Sequence, residues 1–144
     1  MTDDEVEAFL AGRHTMNVAT YNHDGTIHLV AMWYGFHDGL LAFETFTKSQ
    51  KIKNLQRDPR ITVLIDSGET YDQLQGVEIV GTADLFDEPE TVVAVARNVV
   101  ERYFPVDPDQ IDEVAQMMAR KRTIVRINPQ RIVTWDHRKL GGGY

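Results

Sequence analysis

The chain has 144 residues, 42% of them hydrophobic and 26% charged, with a formal net charge of −7 and no cysteine. That length suffices for one well-buried domain, 1–144, while the acidic balance speaks against non-specific nucleic-acid binding. The absent cysteines exclude disulfides, thiolate chemistry and sulfur-ligated zinc. No apolar run approaches the roughly 18 residues of a membrane span. The start, MTDDEVEAF, is acidic where a secretory signal is basic and then apolar. A cytoplasmic protein with no membrane partner is the expectation.

In chain order, Thr2 or Asp3 caps a short helix reaching about Ala11, and Glu5 is spaced to complete a capping box with Thr2. His14–Tyr21 reads as a strand, followed by a hairpin turn at Asn22-His23-Asp24-Gly25. Thr26–Phe36 is a second strand, rich in β-branched and aromatic residues, and Leu40–Thr45 a third. A helix follows with Thr47 as its N-cap and Ile52 and Leu55 facing the core; Asp58-Pro59 breaks it. Ile61–Asp66 and Gly76–Phe86 are strands, and Gly81 marks a bulge or bend in the latter. Val92, Val95, Ala96, Val99 and Val100 repeat near 3.6 and predict a helix opened by Pro89; another covers Gln110–Arg120. Thr123–Asn128 and Arg131–Asp136 are the last strands, separated by Asn128-Pro129, and the tail from residue 137 to 144 is expected to be flexible. The pattern predicts a mainly β (α+β) fold, a closed or nearly closed antiparallel barrel with flanking helices.

One stretch stands out chemically. Between Thr47 and Arg60 lie five basic residues and one acidic residue, in a chain that is acidic overall. Thr45, Thr47 and Ser49 sit where a strand turns into a helix, with Lys48 and Lys51 close by. A helix start offers unpaired N–H groups and the positive end of the dipole, so hydroxyls and a lysine there form a set suited to phosphate. Lysines also serve simply to solvate a helix face, and the spacing of hydroxyls and lysines weighs against that reading here. Other chemistries find little support. Ser49 and Ser67 are the only serines and neither lies in G-x-S-x-G; the five histidines lack metal-ligand spacing; no P-loop or G-x-G-x-x-G occurs.

The run Phe43-x-Thr45-x-x-x-Ser49-x-Lys51, then Asn54-Leu55 and Asp58-Pro59-Arg60, resembles the flavin-binding split-barrel superfamily of pyridoxamine 5′-phosphate oxidases. Gln75-Gly76-Val77-Glu78-Ile79-x-Gly81-x-Ala83 is similar to the strand that follows in that family, and Val133-Thr134-Trp135-Asp136 to its deazaflavin-dependent, coenzyme F420-using branch. The resemblance implies a split β-barrel homodimer with cofactor sites between subunits. It implies phosphate ligands at Ser49 and Lys51, with Thr45 beside the cofactor and Thr47, Lys48 and Gln50 in the same cradle. It further implies a ring wall along Val30, Ala31, Met32 and Trp33, and an approach by Arg131 and Trp135, often from the partner subunit. The sequence departs from the oxidases at Gln50, where they carry arginine, and at Phe46, where they carry asparagine. Activity expected on this basis is hydride transfer between coenzyme F420 and a small unsaturated substrate. The alternatives are an FMN-dependent oxidoreductase and a carrier that sequesters a cofactor or ligand. The loop Ser67–Gln73 and the helices between Pro89 and Arg120 are expected to shape the substrate pocket.

Overall fold

In the computed structural model, which describes residues 1–141, a single antiparallel sheet carries all seven strands. The elements are helix α1 (Asp3–Leu10), strands β1 (Met16–Tyr21), β2 (Ile27–Met32), β3 (Gly35–His37) and β4 (Leu40–Phe46), helix α2 (Gln50–Arg57), strands β5 (Arg60–Ser67) and β6 (Gln75–Phe86), helices α3 (Pro89–Tyr103) and α4 (Ile111–Met118), and strand β7 (Arg122–Asp136). The strand order is β2-β1-β5-β6-β7-β4-β3.

That order explains a departure from the sequence-based expectation. Thr26–Phe36 is two strands, divided at Trp33-Tyr34, and these occupy opposite edges of the sheet. Three Cα–Cα steps from Met32 to Gly35 cover at most about 11 Å. The sheet must therefore curl until its two edges approach each other at Trp33-Tyr34, giving a half-barrel split along one seam. At the break Tyr34 turns fully inward and donates its hydroxyl to the Leu10 carbonyl at 2.8 Å, while Trp33 turns out and stacks on Tyr103.

The two expected C-terminal strands are instead one. Val80 pairs with Arg131 and Gly81 with Pro129, so Gln130 is an extra residue that bulges from β7. A Cβ at Gly81 would lie 2.0 Å from the Asn128 carbonyl oxygen, which is why glycine stands opposite the bulge. His137–Leu140, expected to be loose, forms a 3-10 turn in which the His137 amide donates to the Leu74 carbonyl at 2.9 Å; residues 142–144 lie outside the described residues.

The barrel interior is filled by alternating strand residues, among them Val18, Phe43, Val63, Ile65, Val77 and Val125. A second layer forms where Val92, Val95 and Val99 of α3 cover Ala42 of β4 and Ile124 of β7, and Ala96 and Val100 then hold α4 through Ala115. The outward face of β2, β1, β5 and β6 differs. Cross-strand register aligns Ala31, Asn17, Leu64, Glu78 and Val133 in one row and Leu29, Ala19, Thr62, Val80 and Arg131 in the next. Leu29 is 67% exposed there, and Ile27 and Val133 are also exposed. Among the described residues, no helix is long and apolar enough to cross a membrane.

Candidate anion-binding site

Strand β4 delivers the chain into the turn Thr47-Lys48, and Ser49 rather than Thr47 is the N-cap of α2. Ser49 has an extended backbone, but its hydroxyl makes no capping hydrogen bond, and the first turn of α2 contains no acidic residue. The N–H groups of that turn have no intrahelical acceptors, as in any helix, and here nothing from the side chain replaces them. The turn itself is rigid: the Thr47 amide donates to the Lys121 carbonyl at 2.9 Å and the Ser49 amide to the Phe46 carbonyl at 2.8 Å.

The helix is fastened from below by the asparagine of the Asn54-Leu55 pair. Asn54 is fully buried and donates through Nδ2 to Thr20 Oγ1 and Asn22 Oδ1, both at 3.0 Å. Its Oδ1 accepts from Gln50 Nε2 at 2.9 Å, so Gln50 reinforces the fastening. Ile52 and Leu55 fill the barrel end beside it.

Lys51 is only 9% exposed and has no hydrogen-bond or ion-pair partner among the described residues. Burial lowers the pKa of its ammonium, and the nearby Arg122 guanidinium lowers it further. At the helix start opens a cavity of about 680 Å³ lined by Phe46, Thr47, Lys48, Ser49 and Lys121; Lys51 is not part of that lining. Lys121 adopts φ 55°, a left-handed conformation that costs a lysine on the order of 1 kcal/mol. The Arg122 guanidinium stands 3.6 Å from the Phe46 ring centroid and donates through Nε to the Met118 carbonyl at 3.1 Å. Phe46, where the oxidases carry asparagine, thus serves as the platform for a cation. Lys48, Lys51, Lys121 and Arg122 make the region strongly positive.

One carboxyl accompanies these cations. Glu44 of β4 is 6% exposed, its Oε2 has no partner, and burial pushes its pKa up to about 7 against the opposing pull of Arg122. Lys121, Arg122 and Glu44 were not singled out from sequence, although the run Arg120-Lys121-Arg122 is as dense in charge as the segment that was.

Of the residues expected in the cradle, Thr47, Lys48 and Ser49 line the cavity, whereas Thr45, Lys51 and Gln50 do not; Thr45 Oγ1 donates to Ser49 Oγ at 3.4 Å, and Gln50 lines a separate pocket with Asn22, His23, Asp24 and His28. The other candidates lie elsewhere. Val30 and Met32 are half-buried against the barrel core, whereas Ala31 is exposed on the opposite face of β2. Arg131 pairs with Glu78 at 3.7 Å, and Trp135 lies over Gly76, where a Cβ would come within 2.1 Å of the indole. None of these lines the cavity at α2. The loop Ser67–Gln73 and helices α3 and α4 likewise supply none of its lining; Lys121, just beyond α4, does.

Comparison with known proteins gives this arrangement a family. The family model described as pyridoxamine 5′-phosphate oxidase matches residues 2–136. The chain belongs to this family. A conserved protein of Mycobacterium tuberculosis, Rv2991, has a structure 44% identical in sequence with a TM-score of 0.91, the match covering 100% of this chain and 90% of that one. A structure named F420 reductase is 23% identical with a TM-score of 0.67, covering 88% of this chain and 94% of the other. HutZ, a heme storage protein of Vibrio cholerae, is 16% identical with a TM-score of 0.70, covering 91% and 92%. The last two show the shared split-barrel fold within a family that contains oxidoreductases.

Proposed function

We propose that the protein is an oxidoreductase that holds coenzyme F420 by its phosphate at the start of α2 and passes hydride between that cofactor and a small unsaturated substrate. The observation that carries the reading is Lys51: a largely buried side chain whose ammonium has no partner among the described residues and is set near the Arg122 guanidinium, on a helix start whose donors are uncapped. A free-standing fold gains nothing from such a group, whereas an anion satisfies it. The residues present fit a phosphate: Ser49 and the first-turn N–H groups donate, Lys51 and Lys48 supply charge, and Asn54 fixes the helix that carries them.

The deazaflavin, when bound, supplies the hydride chemistry. The chain's part is to anchor, to orient and to exclude water. The outward sheet face supports a homodimer, because its Ile27, Leu29 and Val133 are large apolar side chains left exposed. Ala31, Arg131 and Trp135 share that face, so a second copy packed on it brings Arg131 and Trp135 toward the other subunit's cofactor. Trp33, 46% exposed at the seam, adds an aromatic edge; Val30 and Met32 support the strand from within.

The lining Phe46, Thr47, Lys48, Ser49 and Lys121 contains no carboxylate or imidazole, and this favours one alternative, a cofactor or ligand carrier without turnover. Titrating the apo-protein with coenzyme F420 and with FMN, followed by fluorescence, tests both points. Tighter binding of F420, with hydride passed to an unsaturated acceptor, is the expected result. Tighter binding of FMN would reassign the cofactor, and stoichiometric binding with no reduction of any acceptor would make the protein a carrier.

A further inference from the structure

A second cavity, of about 810 Å³, shares no lining residue with the one at α2. It exists because the inward face of β7 is not filled beyond the bulge. Ile132 pairs with the inward-facing Ile79 and Thr134 with Val77, so both continue the face that Val125 and Ile127 begin. Ile127 is 1% exposed, whereas Ile132 is 49% exposed. Strand β4 pairs with β7 only as far as Arg126, and past that point β7 keeps β6 as its one neighbour among the described residues. Helix α1 takes the place of the missing strand but leaves a gap. Into that gap it turns Asp3, Val6, Glu7 and Leu10, spaced i, i+3, i+4 and i+7 along one face, and Phe36 of β3 adds a further wall.

From this arrangement we infer that the cavity binds an apolar amine, a small molecule with a hydrocarbon or aromatic body and a protonated amino group. Val6, Leu10, Phe36 and Ile132 offer apolar surface for the body, and the volume is that of an ordinary small-molecule site. Asp3 and Glu7 supply the charge. Glu5, on the other side of α1, is paired with Lys139 at 2.6 Å, whereas Asp3 and Glu7 have no side-chain partner among the described residues. One cation belongs to the lining, the Met1 ammonium, and it donates to Thr134 Oγ1 at 2.9 Å. Two carboxylates thus face one ammonium, and the lining keeps an excess of negative charge. A protonated amine answers that charge, a carboxylate of the same shape is repelled by it, and a neutral molecule leaves Asp3 and Glu7 to water. The cavity at α2 is basic and this one acidic, so the two sites take ligands of opposite charge and neither depends on the other.

The test titrates phenethylamine, phenethyl alcohol and hydrocinnamate, which share a phenethyl body, into the full chain and follows the amide NMR shifts of Val6, Leu10 and Ile132. The amine is expected to bind about twofold to fivefold more tightly than the alcohol, the scale of an exposed ion pair, and the carboxylate more weakly than either. In the double variant Asp3→Asn, Glu7→Gln the amine should bind no more tightly than the alcohol, whose affinity stays as in the native protein. Both positions are exposed, so the fold tolerates the change. Ile132→Trp, which fills the cavity from a half-exposed position, should abolish binding of all three probes. Equal native affinities for amine and alcohol, or a preference for the amine that survives in the double variant, would overturn the inference. Absence of shifts at Val6, Leu10 and Ile132 with the amine, or shifts confined to Leu29 and Val133 on the outward sheet face, would do the same. Shifts at Val6 and Ile132 that grow with protein concentration before any probe is added would show a second copy covering the cavity, and that also overturns it.

Discussion

Helices α1 and α2 are the same length, eight residues each, and begin in opposite ways. At α1 the Thr2 hydroxyl accepts from the Glu5 amide at 3.3 Å while Glu5 Oε2 accepts from the Thr2 amide at 2.7 Å, closing a capping box. Asp3, Asp4 and Glu5 answer the helix dipole, and Lys139 answers Glu5 at 2.6 Å. The far end is equally complete: Arg102 donates to the carbonyls of Leu10 and Ala11, both at 3.3 Å, and Gly12, at 2.9 Å. At α2 the cap hydroxyl bonds no amide, the first turn has no acid, and the largely buried Lys51 in that turn is set near a second cation, Arg122. The first helix is satisfied by its own chain. The second keeps its donors and its charge in reserve, and a group held in reserve lowers stability until something from outside meets it.

The largest expected effect lies beneath the second helix start. The Glu44 carboxyl keeps its proton to about pH 7 in the fold, against an ordinary value of 4.5. The folded state thus binds the proton more tightly, so the contribution of Glu44 to stability is fully present below pH 4.5 and is lost as pH rises through 7. That loss is on the order of 3 kcal/mol above pH 8. Glu44→Gln should recover most of it, giving urea-unfolding curves whose free energy no longer declines between pH 5 and pH 8, in units where native protein declines. Parallel pH dependences in native protein and variant would show that Glu44 is already neutralised by its surroundings. Lys51→Met follows in size. It should weaken cofactor binding by roughly 1.5–3 kcal/mol, the worth of a charge-assisted hydrogen bond, yet stabilise the free protein by up to about 1 kcal/mol by removing a partly desolvated charge near the Arg122 guanidinium. Binding titration and denaturation of one variant would then move in opposite directions. A variant that is less stable and binds normally would make Lys51 a structural residue.

How these two regions were legible in the sequence follows from the range of their interactions. The capping box is written in four consecutive residues, and Thr2 and Glu5 sit as their spacing predicts. The basic segment is equally local, and so was found. What completes it is not local. Lys121 reaches the cradle through its carbonyl, Arg122 through the Phe46 ring, and Thr123 through a hydroxyl, each because β7 runs antiparallel to β4. A charge count flags Arg120-Lys121-Arg122 but cannot say which strand it will pair with. The N-cap falls at Ser49, two residues beyond Thr47, because the Ser49 amide donates to the Phe46 carbonyl and closes a turn through Thr47-Lys48 before the helix begins. The break at Trp33-Tyr34 was hidden because both residues favour strands; it is imposed by closure of the whole sheet, which no window of sequence contains.

The smallest effect is the sharpest test of the comparison, because it applies one kind of change to both helix starts. Thr2→Ala removes a hydroxyl that accepts from an amide and should cost about 1 kcal/mol. Ser49→Ala removes a hydroxyl at the equivalent position that caps nothing, and should alter stability by less than about 0.5 kcal/mol. Chemical denaturation with an unchanged m value measures both. The order should invert when the readout is binding: Thr2→Ala leaves cofactor affinity alone, while Ser49→Ala weakens it, since that proton is free to meet a phosphate oxygen. Equal destabilisation by the two changes would mean that Ser49 caps its helix in solution as Thr2 does. The donors at α2 would then be satisfied by the chain itself, and Lys51 alone would have to account for an anion site.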